Sequence, residues 1–173
     1  MRPIGSRSAT LGAWAGAALL LAGAGATSCT HEYRPYQSSE VAHGWELGGA
    51  KATVEVAKDR GSRERGLMFR TSMPADHGMV FVYPEPRVLR FWMRNTAIPL
   101  SIAFIEEVGE GQGRIVNVVD MQPFVERPEA VSHQKVRLAL EMNQGWFERH
   151  GIKAGDAVAL PSWVHEIVAG EDN

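Results

Sequence analysis

From Lys51 onward the chain alternates apolar and polar side chains in short runs, the period of strands that lay one face on a core. Ala52, Val54 and Val56 fall on one face against Thr53, Glu55 and Ala57, which predicts a first strand. Lys58 to Phe69 breaks that rhythm, and Asp59 or Ser62 is placed to cap a short helix over Glu64-Arg65 that ends near Leu67-Met68. Pro74 to Gly78 reads as a loop, and Met79 to Tyr83 as an apolar strand stopped by Pro84 and Pro86. Strands are predicted at Val88–Met93 and Leu100–Glu106, on either side of an Asn95-Thr96 turn. Another runs over Arg114–Met121, after the glycine-rich hairpin loop Gly109 to Gly113. The clearest alternation sets Val136, Leu138, Leu140 and Met142 against Arg137, Ala139 and Glu141. Asn143 to His150 suits a short helix closed by Gly151, and Gly155-Asp156 turns into a last strand, Ala157–Leu160, broken by Pro161. Some seven short strands with one or two short helices predict a mainly-β fold: one compact, sandwich-like or barrel-like domain over residues 51–173.

The N-terminal stretch follows a different pattern. Arg2 and Arg7 precede an uncharged run of Leu, Ala and Gly from Leu11 to Ala26, the layout of a secretory signal peptide over residues 1–28. The run is too short and too rich in small residues for a membrane span. It ends in Ala26-Thr27-Ser28-Cys29, and Cys29 is the only cysteine of the chain. This resembles the lipobox of bacterial lipoproteins, with Ala26 where Leu is usual, and implies lipidation of Cys29. The other reading is an ordinary signal cut after Ala26, which leaves a free thiol. The expected location is the cell envelope, as a membrane-anchored lipoprotein on the periplasmic side or at the surface. Residues 29–50 then read as a lipidated tether, polar and broken by Pro35, Ser38-Ser39 and Gly48-Gly49. Tyr33, Tyr36 and Trp45 suggest that part of it rests on the domain.

Cleavage alters the charge. Without Arg2 and Arg7 the mature chain has 16 basic residues against 20 acidic, a net of −4. No basic patch is left to suggest nucleic acid as a partner. With Cys29 consumed, an internal disulfide and a thiolate metal site are both excluded, so stability must come from packing.

Three aromatic phrases stand out in the middle of the chain. Glu64-Arg65-Gly66-Leu67-Met68-Phe69-Arg70 is followed by Gly78-Met79-Val80-Phe81, and then by Phe91-Trp92-Met93-Arg94-Asn95-Thr96 with Ile98-Pro99-Leu100. With Leu140-Glu141, Gly145, Gly151-Ile152 and Gly155-Asp156, they resemble the domain of unknown function 192 family of small prokaryotic proteins. The resemblance covers most of the folded region. It implies the same mainly-β architecture and no particular reaction. Two departures from the family pattern count. Ser101 stands where an acid is common, and Gln122 to His133 lacks the cysteine of many relatives.

Bulky side chains beside polar ones are what a binding cleft needs. Arg65, Arg70, Trp92, Asn95 and Glu141 are the candidate ligand-binding residues: Trp92 as a flat wall, Asn95 as donor and acceptor, an arginine as a fork for a carboxylate or phosphate, and Glu141 to orient it. The structural alternative makes Trp92 core, pairs Arg65 with Glu141 and gives Asn95 to a turn. The expected function is binding of a small polar ligand or an envelope protein, with no cofactor and no metal. The alternatives are an enzyme of unknown reaction using Glu141 or His77, and copper held by methionine and histidine, for which His77, Met79 and Met73 lie close in sequence. Asp76 and Asp120 are lesser acid–base candidates, and no nucleophile or metal signature favours an enzyme.

Overall fold

The computed structural model describes residues 42–170; the expected signal segment and Cys29 lie outside the described residues. In chain order the elements are β1 (His43–Leu47), β2 (Ala50–Ala57), α1 (Arg60–Arg65), β3 (His77–Arg87), β4 (Arg90–Phe91), β5 (Leu100–Gly109), β6 (Gln112–Met121), β7 (Ala130–Val131), β8 (Val136–Asn143), α2 (Trp146–Arg149), β9 (Ala157–Ala159) and α3 (Ser162–Gly170). The fold is mainly β with three short helices, as the alternating runs require.

Seven strands form one sheet in the order β1-β2-β3-β8-β5-β6-β9, antiparallel throughout except for the parallel β2–β3 pair. The parallel step needs a crossover, and α1 lies in it. Asp59 caps α1 by accepting the Ser62 N–H at 2.9 Å, as its position before the helix predicts. The sheet curls until its two edges nearly meet. The Trp45 indole N–H on β1 donates to the Ala159 carbonyl on β9 at 2.8 Å, so a side chain spans the seam. The result is barrel-like.

This corrects the tether boundary. Residues 43–50 belong to the sheet, because Trp45 and Leu47 are buried and Gly48-Gly49, both at positive φ, make the two-residue turn of a β1–β2 hairpin. A third helix follows Pro161 and buries Val164 and Val168. Val88–Met93 is shorter as a strand than its alternation suggests: only Arg90 and Phe91 pair, with β7, in a separate two-stranded sheet.

Both faces of the central strands are covered, which explains why the side chains flanking each alternation are so often apolar. The inner face holds Val54, Val80, Ile105, Leu138, Leu140 and Trp146. The outer face holds Met79, Phe81, Ile102, Phe104 and Ala139, and the segment with Leu89, Phe91 and Met93 packs on them. Glu141 is on β8 between Leu140 and Met142, directly opposite Met79 on β3 and Ile102 on β5. By the period of two it therefore faces the outer layer, with Ala139.

Candidate functional site

Where the α1 turn meets the end of β4, a small cleft of about 70 Å³ opens over the outer face of the sheet. Its lining includes Arg65, Arg90, Trp92 and Glu141, with Tyr83 and Thr96 beside them. Glu141 lies at the bottom, 4 % exposed. No ion pair or hydrogen bond of its carboxyl is formed among the described residues, and burial alone pushes its pKa up to about 8. An unpaired carboxylate loses its hydration there and recovers nothing, so the proton stays on near neutral pH. The Arg65–Glu141 pairing expected as the structural alternative is not what sets Glu141, because no cation pulls its pKa down.

Arg65 and Arg90 are exposed at the mouth, and Trp92, 47 % exposed, stands beside them. Arg94 approaches the Trp92 ring with its guanidinium 5.9 Å from the centroid. Arg63, the remaining arginine of the lining, is committed to the scaffold: it donates to the Lys58 and Val82 carbonyls and lies over the Tyr83 ring at 4.8 Å.

Of the five residues expected from the sequence, the cleft brings together three: Arg65, Trp92 and Glu141. Arg70 is placed elsewhere. Its guanidinium grips Glu55 on β2 with two bonds of 2.6 and 2.7 Å in a largely buried pair, which makes it an architectural residue. Asn95 also has a structural task. It adopts φ +53°, a left-handed conformation that asparagine tolerates, and its carbonyl accepts the Phe69 N–H at 2.7 Å. Arg90 and Tyr83 line the cleft without standing out in the sequence, although Arg90 directly precedes the FWMRNT phrase and is legible there.

The catalytic and copper alternatives scatter. Asp76 accepts the Trp146 indole N–H at 2.9 Å, and neither it nor His77 lines the cleft. Asp120 takes the Ser101 hydroxyl at 2.5 Å, while that hydroxyl accepts the Gly145 N–H at 2.8 Å. Ser101 thus ties β6 to the turn before α2. Met79 is spent in the outer core, and no cluster of three or more His, Cys, Asp or Glu is placed to hold a metal among the described residues.

Comparison with known proteins places this geometry. The model of the DUF192 family, described as Uncharacterized ACR, matches residues 43–160, from the first residue of β1 to just past β9. The chain belongs to the DUF192 family. Solved structures similar to this DUF192 chain include two from bacteria. One is from Sinorhizobium meliloti 1021, provisionally described as a transcription regulator; it is 34 % identical with a TM-score of 0.64, over 72 % of this chain and 98 % of that one. The other, a protein of unknown function from Novosphingobium aromaticivorans DSM 12444, is 30 % identical with a TM-score of 0.62, over 72 % of this chain and 90 % of that one. No curated protein matches the chain.

Proposed function

We propose that this DUF192 protein is an envelope-located binding module that takes the anionic end group of a small polar ligand into the cleft between α1 and β4. The observation that carries the reading is Glu141: a carboxyl buried at the bottom of a cleft, without a partner, beneath two exposed arginines. A protonated carboxyl donates one hydrogen bond, and guanidinium forks supply several more, which together match a carboxylate. Trp92 provides the wall that orients it. Titration of the purified full chain with butyrate, followed by Trp fluorescence, tests this. Saturable binding that Arg90→Ala and Trp92→Ala weaken supports the reading; butyrate binding equally well to both variants, or to neither variant nor wild type, overturns it. Attachment to the membrane through lipid on Cys29 belongs to the same proposal, on the strength of the N-terminal sequence. Movement of Cys29→Ala from the membrane to the soluble fraction would support it, and unchanged partition would remove it.

One observation favours a second reading. A carboxyl with a pKa of about 8 in a cleft is tuned as a general acid near neutral pH. The other acid–base groups of the lining are Tyr83, whose phenol burial holds above its ordinary pKa, and Glu64, which pairs with Arg60 at 2.7 Å, and neither is tuned as a base near neutral pH. Binding is therefore the better supported function.

A further inference from the structure

The cleft is far smaller than a whole ligand. At about 70 Å³ it is well below the roughly 300 Å³ of an ordinary small-molecule pocket, so it takes an end group and the rest of the molecule lies outside. Beside the mouth the surface is unusual. Phe69 is 56 % exposed, Phe124 is 64 % exposed and Trp92 is 47 % exposed. All three are tied to the cleft. Trp92 is in its lining, Phe69 follows the lining residue Met68, and the Phe124 N–H donates to the carbonyl of the lining residue Thr96 at 3.1 Å.

The backbone makes the pattern harder to dismiss as chance exposure. Phe69 and Phe124 have φ of +65° and +63°. Left-handed backbone is unfavourable for a bulky side chain, and neither phenylalanine recovers the cost by entering the core. Both are held by hydrogen bonds to one turn, Asn95-Thr96, whose Asn95 is itself left-handed. Three non-glycine residues in this conformation converge on one place, and two of them display an aromatic ring to solvent.

We propose that the ligand is an acyl carboxylate, with its carboxylate end in the cleft and its hydrocarbon chain lying across the aromatic apron of Phe69, Trp92 and Phe124. This rests on the cleft reading above and adds the substrate class. The nearby polar side chains favour an acyl chain over a peptide. Arg65, Arg90 and Arg94 are donors only, and the acidic lining residue Glu64 is engaged by Arg60. The remaining side-chain acceptors of the lining are the hydroxyls of half-buried Tyr83 and buried Thr96, so a peptide backbone would find few partners for its N–H groups there, whereas a hydrocarbon chain needs none.

Calorimetric titration of the full chain with butyrate, decanoate and decan-1-ol near neutral pH tests the inference. Decanoate should bind about tenfold or more tighter than butyrate, because the added methylenes leave water on the apron. In the double variant Phe69→Gly, Phe124→Gly this advantage should vanish while butyrate binding persists, because glycine suits both left-handed positions and the fold is kept. Equal affinity for butyrate and decanoate overturns the acyl inference and leaves the cleft reading standing. Decan-1-ol binding as tightly as decanoate, or no binding by either carboxylate, overturns both. Tighter binding of the dipeptide Leu-Phe than of decanoate overturns the acyl choice in favour of a peptide terminus.

Discussion

Glu55 and Glu141 are both carboxylates buried on strands, and only Glu55 is held by a cation. That difference sets opposite expectations. Arg70→Ala removes the two-bond partner of the buried Glu55 carboxylate, so chemical denaturation should show a loss of about 1–3 kcal/mol. Glu141 should show itself through pH instead. Its folded pKa of about 8 lies above the ordinary 4.5, so the folded protein keeps a proton that the unfolded chain gives up. The associated stability is fully present below pH 4.5 and is lost as pH rises towards 8, at about 1.4 kcal/mol for each step of one in pH. Glu141→Gln has no such proton to lose. Its melting temperature should match wild type in acid and exceed it increasingly as pH approaches 8; parallel curves would show that Glu141 ionises normally. At this scale the sequence is half legible. Arg65, Trp92 and Glu141 are recognisable as polar or amphipathic residues set into apolar phrases. Arg70 misleads because nothing local says that it reaches an acid fifteen residues earlier, across to β2. Asn95 is assigned to a turn by the structural reading, and its type does suit left-handed backbone.

Among the elements, β3 and β8 fit closely because one position is a glycine. A Cβ at Gly78 would collide with the Glu141 carbonyl and with the Met142 sulfur. One of those contacts is backbone and cannot swing away, so Gly78→Ala must push the two strands apart where Glu141 is positioned. The expected outcome is a cooperative melt at clearly lower temperature and faster amide exchange over β3 and β8. Unchanged exchange would mean that the strands part at no cost. Strong alternation makes the long strands easy to read. The misreadings fall where alternation and pairing part company. Leu89, Phe91 and Met93 alternate into the outer core, yet only the Arg90–Phe91 pair has a ladder partner. In β1 the alternation lasts for just Trp45 and Leu47, too few for a periodic signal, although the Gly48-Gly49 turn is there to be seen. Pro161 looks like the end of regular structure, but proline is also tolerated where a helix begins, and α3 starts at Ser162.

For the whole molecule, the position of β1 decides what can fold. A chain beginning at Lys51 lacks β1 and exposes the inner core that Trp45 and Leu47 cover. It should be aggregation-prone and lose its cooperative melting transition, whereas a chain beginning at Ala42 should melt like the full protein. Calorimetry on the two truncations distinguishes them. The mainly-β, barrel-like architecture is legible because several strands announce themselves independently. Closure is not, because it depends on one indole meeting a carbonyl more than a hundred residues away.

That seam also determines how the domain answers a mechanical load. β1 runs antiparallel to β2, with the His43–Val54 pair at its open end and the Gly48-Gly49 turn at the other. Tension arriving from the N-terminal side of His43 therefore loads the rungs in succession instead of shearing them together. The strand should peel at low force until the Trp45–Ala159 latch stops it at the third rung. Any tether that holds this chain from its N-terminus therefore meets that latch as its first firm resistance.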